Sequence, residues 1–158
     1  RPSNVDDAGV LADLVATVAE AAARLPVVFP VHPRTRARLD AGGLTAVLER
    51  ARILLLPPLG YVEMLSLMRD ATLVLTDSGG MQEETTALGV PCGTLRGSTE
   101  RPVTVTEGTN QLVGRDRIRI LALVEEARRG SGKRGRVPEL WDGRAAERIV
   151  GILAAFRS

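Results

Sequence analysis

Leu73-Val74-Leu75-Thr76-Asp77-Ser78-Gly79-Gly80-Met81-Gln82-Glu83-Glu84 is the stretch on which the reading of this chain turns. An apolar, strand-like run enters a Ser-Gly-Gly turn, and a helix-like segment from Met81 to Leu88 leaves it, stopped at Gly89. A turn of this kind at a strand-to-helix junction exposes backbone N–H groups at a helix N-terminus. They lack intrahelical partners, and the helix dipole favours negative charge there. Gly79 and Gly80 have no Cβ, so a phosphate can approach the backbone closely. Ser78 adds a hydroxyl. Taken alone, these three residues serve equally well as an ordinary capped turn. Glu83 and Glu84 are not required by a bare phosphate cradle and suit a ligand with hydroxyls, such as a ribose. Successive helical residues point in different directions, so at most one of the pair faces a ligand; Glu84, deeper in the helix, is the candidate.

Outward from this turn the chain alternates between helix and strand. Val10, Leu11, Leu14, Val15, Val18, Ala22 and Leu25 share one helical face, with Asp6 or Asp7 placed to cap it. Val27 to Val31 reads as an apolar strand, residues 34–50 as helix interrupted at Gly42-Gly43, and Ile53 to Leu56 as the next strand. Tyr61 to Arg69 is a short helix, Thr72 to Leu75 the third strand and Pro91 to Leu95 the fourth. Gln111 to Val113 reads as a fifth strand, after Asn110 in a turn. Asp116 to Arg129 is helical, residues 130–138 form a flexible basic loop, and Trp141 anchors a last helix with Ala145, Ile149, Ile152, Leu153 and Phe156 on one face. Short apolar strands alternating with helices predict one α/β domain: a Rossmann-like parallel sheet with helices on both faces.

In such sheets ligands bind beyond the carboxyl ends of the strands. His32, the segment from Pro58 to Tyr61, the turn Ser78 to Gly80 and the loop from Arg96 to Arg101 all follow strands, so they converge on one edge. Arginine forks suit phosphate oxygens, and Pro102 stiffens the backbone after Arg101. His32 fits a structural hydrogen bond at a strand end as well as a ligand contact.

Composition excludes several classes. Net charge is +2, the charged fraction 25% and the aromatic fraction 3%, which gives neither a polyanion-binding surface nor base-stacking platforms. One His and one Cys rule out a His/Cys zinc site and a disulfide framework, and the lone thiol fits a reducing, cytoplasmic setting. No apolar run approaches the roughly 20 residues of a membrane span. Ser78 has no neighbouring base and is a poor nucleophile. The chain begins at Arg1 without Met, which suggests a fragment.

Together these segments resemble the non-hydrolysing UDP-N-acetylglucosamine 2-epimerase family. The resemblance is carried by Asp77-Ser78-Gly79-Gly80-x-Gln82-Glu83-Glu84, Leu88-Gly89-x-Pro91, Arg96-x-x-Thr99-Glu100-Arg101-Pro102 and Gly108-Thr109-Asn110-x-Leu112-Val113-Gly114. Arg1-Pro2-Ser3-Asn4, Pro30-Val31-His32-Pro33-Arg34-Thr35 and Pro58-Leu59-x-Tyr61 add to it. It implies that residues 1–158 are the UDP-binding, C-terminal half of a glycosyltransferase-B type fold, with the N-terminal catalytic half absent. It implies an enzyme of cell-surface polysaccharide biosynthesis that interconverts UDP-GlcNAc and UDP-ManNAc by eliminating UDP to a 2-acetamidoglucal and adding it back. By that resemblance Ser78, Gly79 and Gly80 hold the diphosphate, Glu84 the ribose, Arg101 the phosphates, and the segment from Tyr61 to Met64 the uracil. His32 and Arg96 become contacts for substrate or effector. No catalytic residue, metal or cofactor is implied within this chain; the implied partners are UDP or a UDP-N-acetylhexosamine, the missing domain and a second copy in a homodimer. Val103, Met64 and the pair Cys92-Gly93 depart from the family pattern. A hydrolysing epimerase or glycosyltransferase of the same fold, and a non-catalytic UDP-sugar binding module, are the rival readings.

Overall fold

The computed structural model describes residues 1–156. Its elements run α1 (Pro2–Val5), α2 (Ala8–Ala22), β1 (Val28–Pro30), α3 (Pro33–Ala41), α4 (Thr45–Arg50), β2 (Leu54–Leu56), α5 (Tyr61–Arg69) and β3 (Val74–Thr76). Then come α6 (Gly79–Leu88), β4 (Cys92–Thr94), α7 (Pro102–Thr106), β5 (Asn110–Leu112), α8 (Arg117–Arg128) and α9 (Ala145–Ala155). Among the described residues every strand pair is parallel. β1 lies against β2 with Val28 opposite Leu54, and β3-β4-β5 form a ladder with Val74, Cys92 and Asn110 in register. The expected single sheet is therefore two ladders. Helix α2 spans both: Leu11 and Val15 enter the apolar cluster under β1 and β2, while Leu14 joins Val113, Ile120 and Leu123 under the other ladder. With strands of only three residues, this packing carries the connection that ladder hydrogen bonds leave open.

Helices cover both faces of the three-stranded ladder. Adjacent residues of β3 point to opposite sides. Val74 packs with Met68, Val90, Met64 and Met81 from the side of α5 and α6, whereas Leu75 packs with Leu14, Ile120 and Leu123 from α2 and α8. Local chemistry starts and stops these helices. Asp7 accepts from the Val10 N–H at 2.9 Å to cap α2, Asp116 does the same for Ile118 at 2.9 Å to cap α8, and Gly89 ends α6 at φ +71°. Gly93 lies under α8, where a Cβ would stand 2.6 Å from Leu123 Cδ2 and 2.7 Å from Leu75 Cδ2.

Four local readings change. Helix α6 begins at Gly79 rather than Met81, so both glycines are helical. The loop after Arg101 contains a short helix, α7, with Pro102 in its first turn, where a missing N–H costs nothing. Asn110 is a fully buried strand residue, not a turn former, because its amide finds partners far along the chain. Residues 130–138 are tied down: Lys133 Nζ donates to the carbonyls of Asn110 (2.9 Å) and Val105, and the Arg136 N–H donates to Glu107 O at 2.8 Å. Helix α9 buries none of its residues, and Ile149, Ile152, Leu153 and the following Phe156 stand exposed. Among the described residues no helix is long and apolar enough to cross a membrane.

Candidate functional site

The carboxyl end of β3 delivers Asp77 and Ser78 to the start of α6. Ser78 sits at the N-cap with φ −84° and ψ +131°, yet its hydroxyl makes no capping hydrogen bond. Its own N–H donates to Thr76 Oγ1 at 3.1 Å. The first-turn N–H groups of α6 are thus left open beside an unspent hydroxyl. A negative charge at a helix N-terminus gains about 0.3–1 kcal/mol from the dipole. Gly79 is buried and Gly80 exposed. A Cβ on Gly80 would meet nothing nearer than Ser78 Oγ at 4.0 Å, so the protein's own packing does not require glycine there.

The loop after β4 folds over this helix end. A Cβ on Gly79 would lie 3.1 Å from Glu100 Oε1, which puts that carboxylate directly beside the turn. Glu100 in turn holds Arg96 Nη2 at 2.8 Å and Arg1 Nη2 at 3.0 Å. Hydrogen bonding from Arg96, then from its own backbone N–H, lowers the Glu100 carboxyl to about 2. Arg101 Nε stands 2.9 Å from Glu83 Oε1 but off the line of a hydrogen bond, so the pair is a charge contact and the N–H is unspent. Arg96 Nη1 is likewise buried without an acceptor. Buried guanidinium donors left unmade are costly, and both belong to the loop that faces the open turn. The two acids at the start of α6 are now distinct. Glu83 is engaged by Arg101, whereas Glu84 makes no ion pair or hydrogen bond among the described residues. Burial, then the neighbouring Glu83 charge, raises the Glu84 pKa.

The remaining expected residues are spread more widely. Met64 packs in the cluster that includes Met81, so the inner face of α5 adjoins the first turn of α6. Tyr61 begins α5 and is 67% exposed. His32 caps α3 through Nδ1, which accepts from the Arg34 N–H at 3.2 Å, on the edge of the other ladder. Two surface hollows lie away from the turn. One follows Leu56, Leu59, Val62 and Ser66; the other is bounded by Ala22, Pro26 and the stretch Arg50 to Arg52. No set of three or more His, Cys, Asp or Glu among the described residues is arranged to hold a metal.

A family model described as UDP-N-acetylglucosamine 2-epimerase matches residues 1–154. The chain belongs to that family. Its relatives include the UDP-N-acetylglucosamine 2-epimerase of Methanococcus maripaludis, 38% identical over 156 residues that make up 97% of this chain and 42% of the relative. The UDP-2,3-diacetamido-2,3-dideoxy-D-glucuronate 2-epimerase of Pseudomonas aeruginosa is 42% identical over 84% of this chain and 36% of its own length. The solved structure of the Methanocaldococcus jannaschii UDP-GlcNAc 2-epimerase in complex with UDP-GlcNAc and UDP superposes with a TM-score of 0.87 at 40% identity, covering 98% of this chain and 43% of that one. This epimerase-family chain therefore spans about two-fifths of the length of its relatives. Sequence reasoning assigned no role to Glu100, Gln82, Thr99 or Thr104, although all four sit within or next to the motifs that carried the resemblance. The available signal was Gln82, Thr85 and Thr86 on the inward face of a helix where apolar residues are usual.

Proposed function

We propose that this chain is the UDP-binding domain of an enzyme that interconverts UDP-N-acetylglucosamine and UDP-N-acetylmannosamine, and that it is the C-terminal half of a glycosyltransferase-B type protein. The observation that carries the reading is the open N-terminal turn of α6 with a free Ser78 hydroxyl, faced by unspent donors on Arg96 and Arg101. A diphosphate would take the N–H groups of Gly79 and Gly80 and the Ser78 hydroxyl, with the two guanidinium groups neutralising its charge. Glu84 would accept from the ribose hydroxyls, and uracil would lie toward Tyr61 and Met64. Support also comes from the family match and from the M. jannaschii relative, whose structure holds UDP-GlcNAc and UDP.

In this reaction a base removes the proton from C2 of the sugar. The C–H electrons form the C1=C2 double bond of a 2-acetamidoglucal, and the C1–O bond breaks with its electron pair leaving on the β-phosphate. Protonation at the other face of C2 and return of UDP to C1 complete the exchange. Positive charge and N–H donors at the β-phosphate stabilise the oxyanion as it develops. The side chains beside the turn suit this role poorly: Glu100 is a weak base because its arginines hold its carboxyl at about 2, Ser78 lacks a base of its own, and Glu84 is assigned to the ribose. The proton-transfer groups then belong to the rest of the protein, and this chain alone is expected to be inert.

The test is exchange on the full-length protein. UDP-GlcNAc labelled with ¹⁸O in the bond between C1 and the β-phosphate should scramble the label into non-bridging positions, and C2 should take up deuterium from heavy water. UDP-ManNAc should form at the same time. Release of free sugar, or label that stays put while product forms, counts against the proposal. A second reading keeps the same chemistry on another sugar and is favoured by the P. aeruginosa relative, which is named for a diacetamido-glucuronate. Substrate comparison on the same protein separates the two.

A further inference from the structure

Beneath the turn lies a polar network in a position where an α/β domain ordinarily packs apolar side chains. Gln82, Asn110, Thr94 and Thr104 are all fully buried. Gln82 Nε2 donates to Ser78 O at 3.2 Å, and its Oε1 accepts from Thr99 Oγ1 at 2.6 Å and from Asn110 Nδ2 at 3.1 Å. Asn110 Nδ2 also donates to Thr104 Oγ1 at 3.0 Å, and Asn110 Oδ1 accepts from Thr94 Oγ1 at 2.7 Å. Two further bonds close on Arg101. Its N–H donates to Thr99 Oγ1 at 3.0 Å, and its carbonyl accepts from Thr104 Oγ1 at 2.7 Å. Both amide polar groups of Gln82 and of Asn110 are therefore satisfied.

Six segments meet in this network: the Ser78 turn, α6, β4, the loop from Arg96 to Arg101, α7 and β5. Apolar packing is non-directional and would let the loop slide over the helix end. Buried amides bonded on both sides allow one register only, since any slip leaves a donor or acceptor unmade at about 1–3 kcal/mol. One end of the network holds the Ser78 carbonyl. The other holds both peptide groups flanking the Arg101 Cα, at φ −122° and ψ +60°, just ahead of Pro102.

We propose that Gln82, Asn110, Thr99 and Thr104 are positioning residues for diphosphate binding: they set the distance between the N–H groups of the α6 turn and the guanidinium of Arg101. The assignment rests on the UDP-binding reading above. None of the four touches the ligand; they act through Ser78 and Arg101. Thr99 is the link that can be cut with least harm, because it is only part-buried and Gln82 keeps its bonds to Ser78 and Asn110 when it is lost.

The experiment measures UDP and uridine binding by calorimetry or competition on the full-length protein, in wild type, Thr99→Val, Thr99→Ser, Arg101→Ala and the Thr99→Val/Arg101→Ala double variant. Thr99→Val should weaken UDP binding about tenfold, the scale of one well-placed hydrogen bond. Uridine, which has no diphosphate, should be affected less than about twofold. Thr99→Ser retains the hydroxyl and should bind UDP as wild type does. In the Arg101→Ala background Thr99→Val should add nothing further, because its effect passes through that side chain. Equal loss for UDP and uridine in Thr99→Val, or additive losses in the double variant, would overturn the proposal while leaving the UDP reading intact. Wild-type protein that does not bind UDP refutes the functional reading instead.

Discussion

Gly80→Ala should make the protein more stable and its UDP site worse. In the free protein a Cβ at this position has Ser78 Oγ at 4.0 Å as its nearest neighbour, so it causes no clash. Residue 80 is helical, and replacing glycine by alanine in a compatible conformation stabilises by about 0.4–1 kcal/mol through the unfolded chain. For a chain of this size that is a rise in Tm of roughly 1–4 °C. The Cα–Cβ bond of a helical residue tilts toward the helix N-terminus, into the space over the turn that a diphosphate would occupy. Pushing a phosphate off one charge-assisted N–H bond costs about 1.5–3 kcal/mol, roughly ten- to a hundredfold in Kd. Thermal melts read the first effect and UDP titration the second, with uridine as the control expected to change little. UDP affinity within twofold of wild type would refute the cradle. A fall in Tm would show that the space over Gly80 is not free.

Other outcomes follow from the same geometry. Cys92 is fully buried, and burial pushes its thiol up to about 11; it should resist iodoacetamide at pH 8 in the folded protein and react at once on denaturation, as mass spectrometry would show. Gly93→Ala places a methyl against Leu123 and Leu75 and should destabilise by about 1–3 kcal/mol, read as a lowered denaturation midpoint with unchanged slope. At Gly135 a Cβ would lie 2.7 Å from Gly108 Cα, where backbone has nowhere to move, so Gly135→Ala should free the segment around Lys133 and expose it to proteolysis. Glu100 is held at about 2, first by Arg96, and Glu125 at about 2, first by Arg128 and then Arg129. Both folded-state values lie below the ordinary glutamate range. Their stabilisation is therefore present above about pH 4.5 and is lost as pH falls toward 2, and carboxyl chemical shifts followed down to pH 2 should show both still ionised at pH 3. A Glu100 that titrates near 4.5 would mean that its arginines are elsewhere.

The amino-acid sequence by itself determined the alternation of strands and helices and the presence of a glycine turn before α6. Those features are local. Apolar periodicity, capping side chains such as Asp116 and the steric freedom of glycine act within a few residues, so they can be read one after another along the chain. The parallel strands then place His32, the Ser78 turn and the Arg96–Arg101 loop beyond carboxyl ends, again without coordinates. Tertiary structure alone decided which of two adjacent acids is spent and which is free, through the approach of Arg101 to Glu83. It turned Asn110 from a turn residue into a buried hub and pinned the stretch around Lys133 that composition reads as flexible. It also divided the strands into two ladders bridged by α2. The deciding contacts join residues 17 and 28 positions apart, as Thr99 and Asn110 both reach Gln82. A polar side chain has a bonding requirement that its neighbours in sequence do not identify, and only the folded chain names the partner.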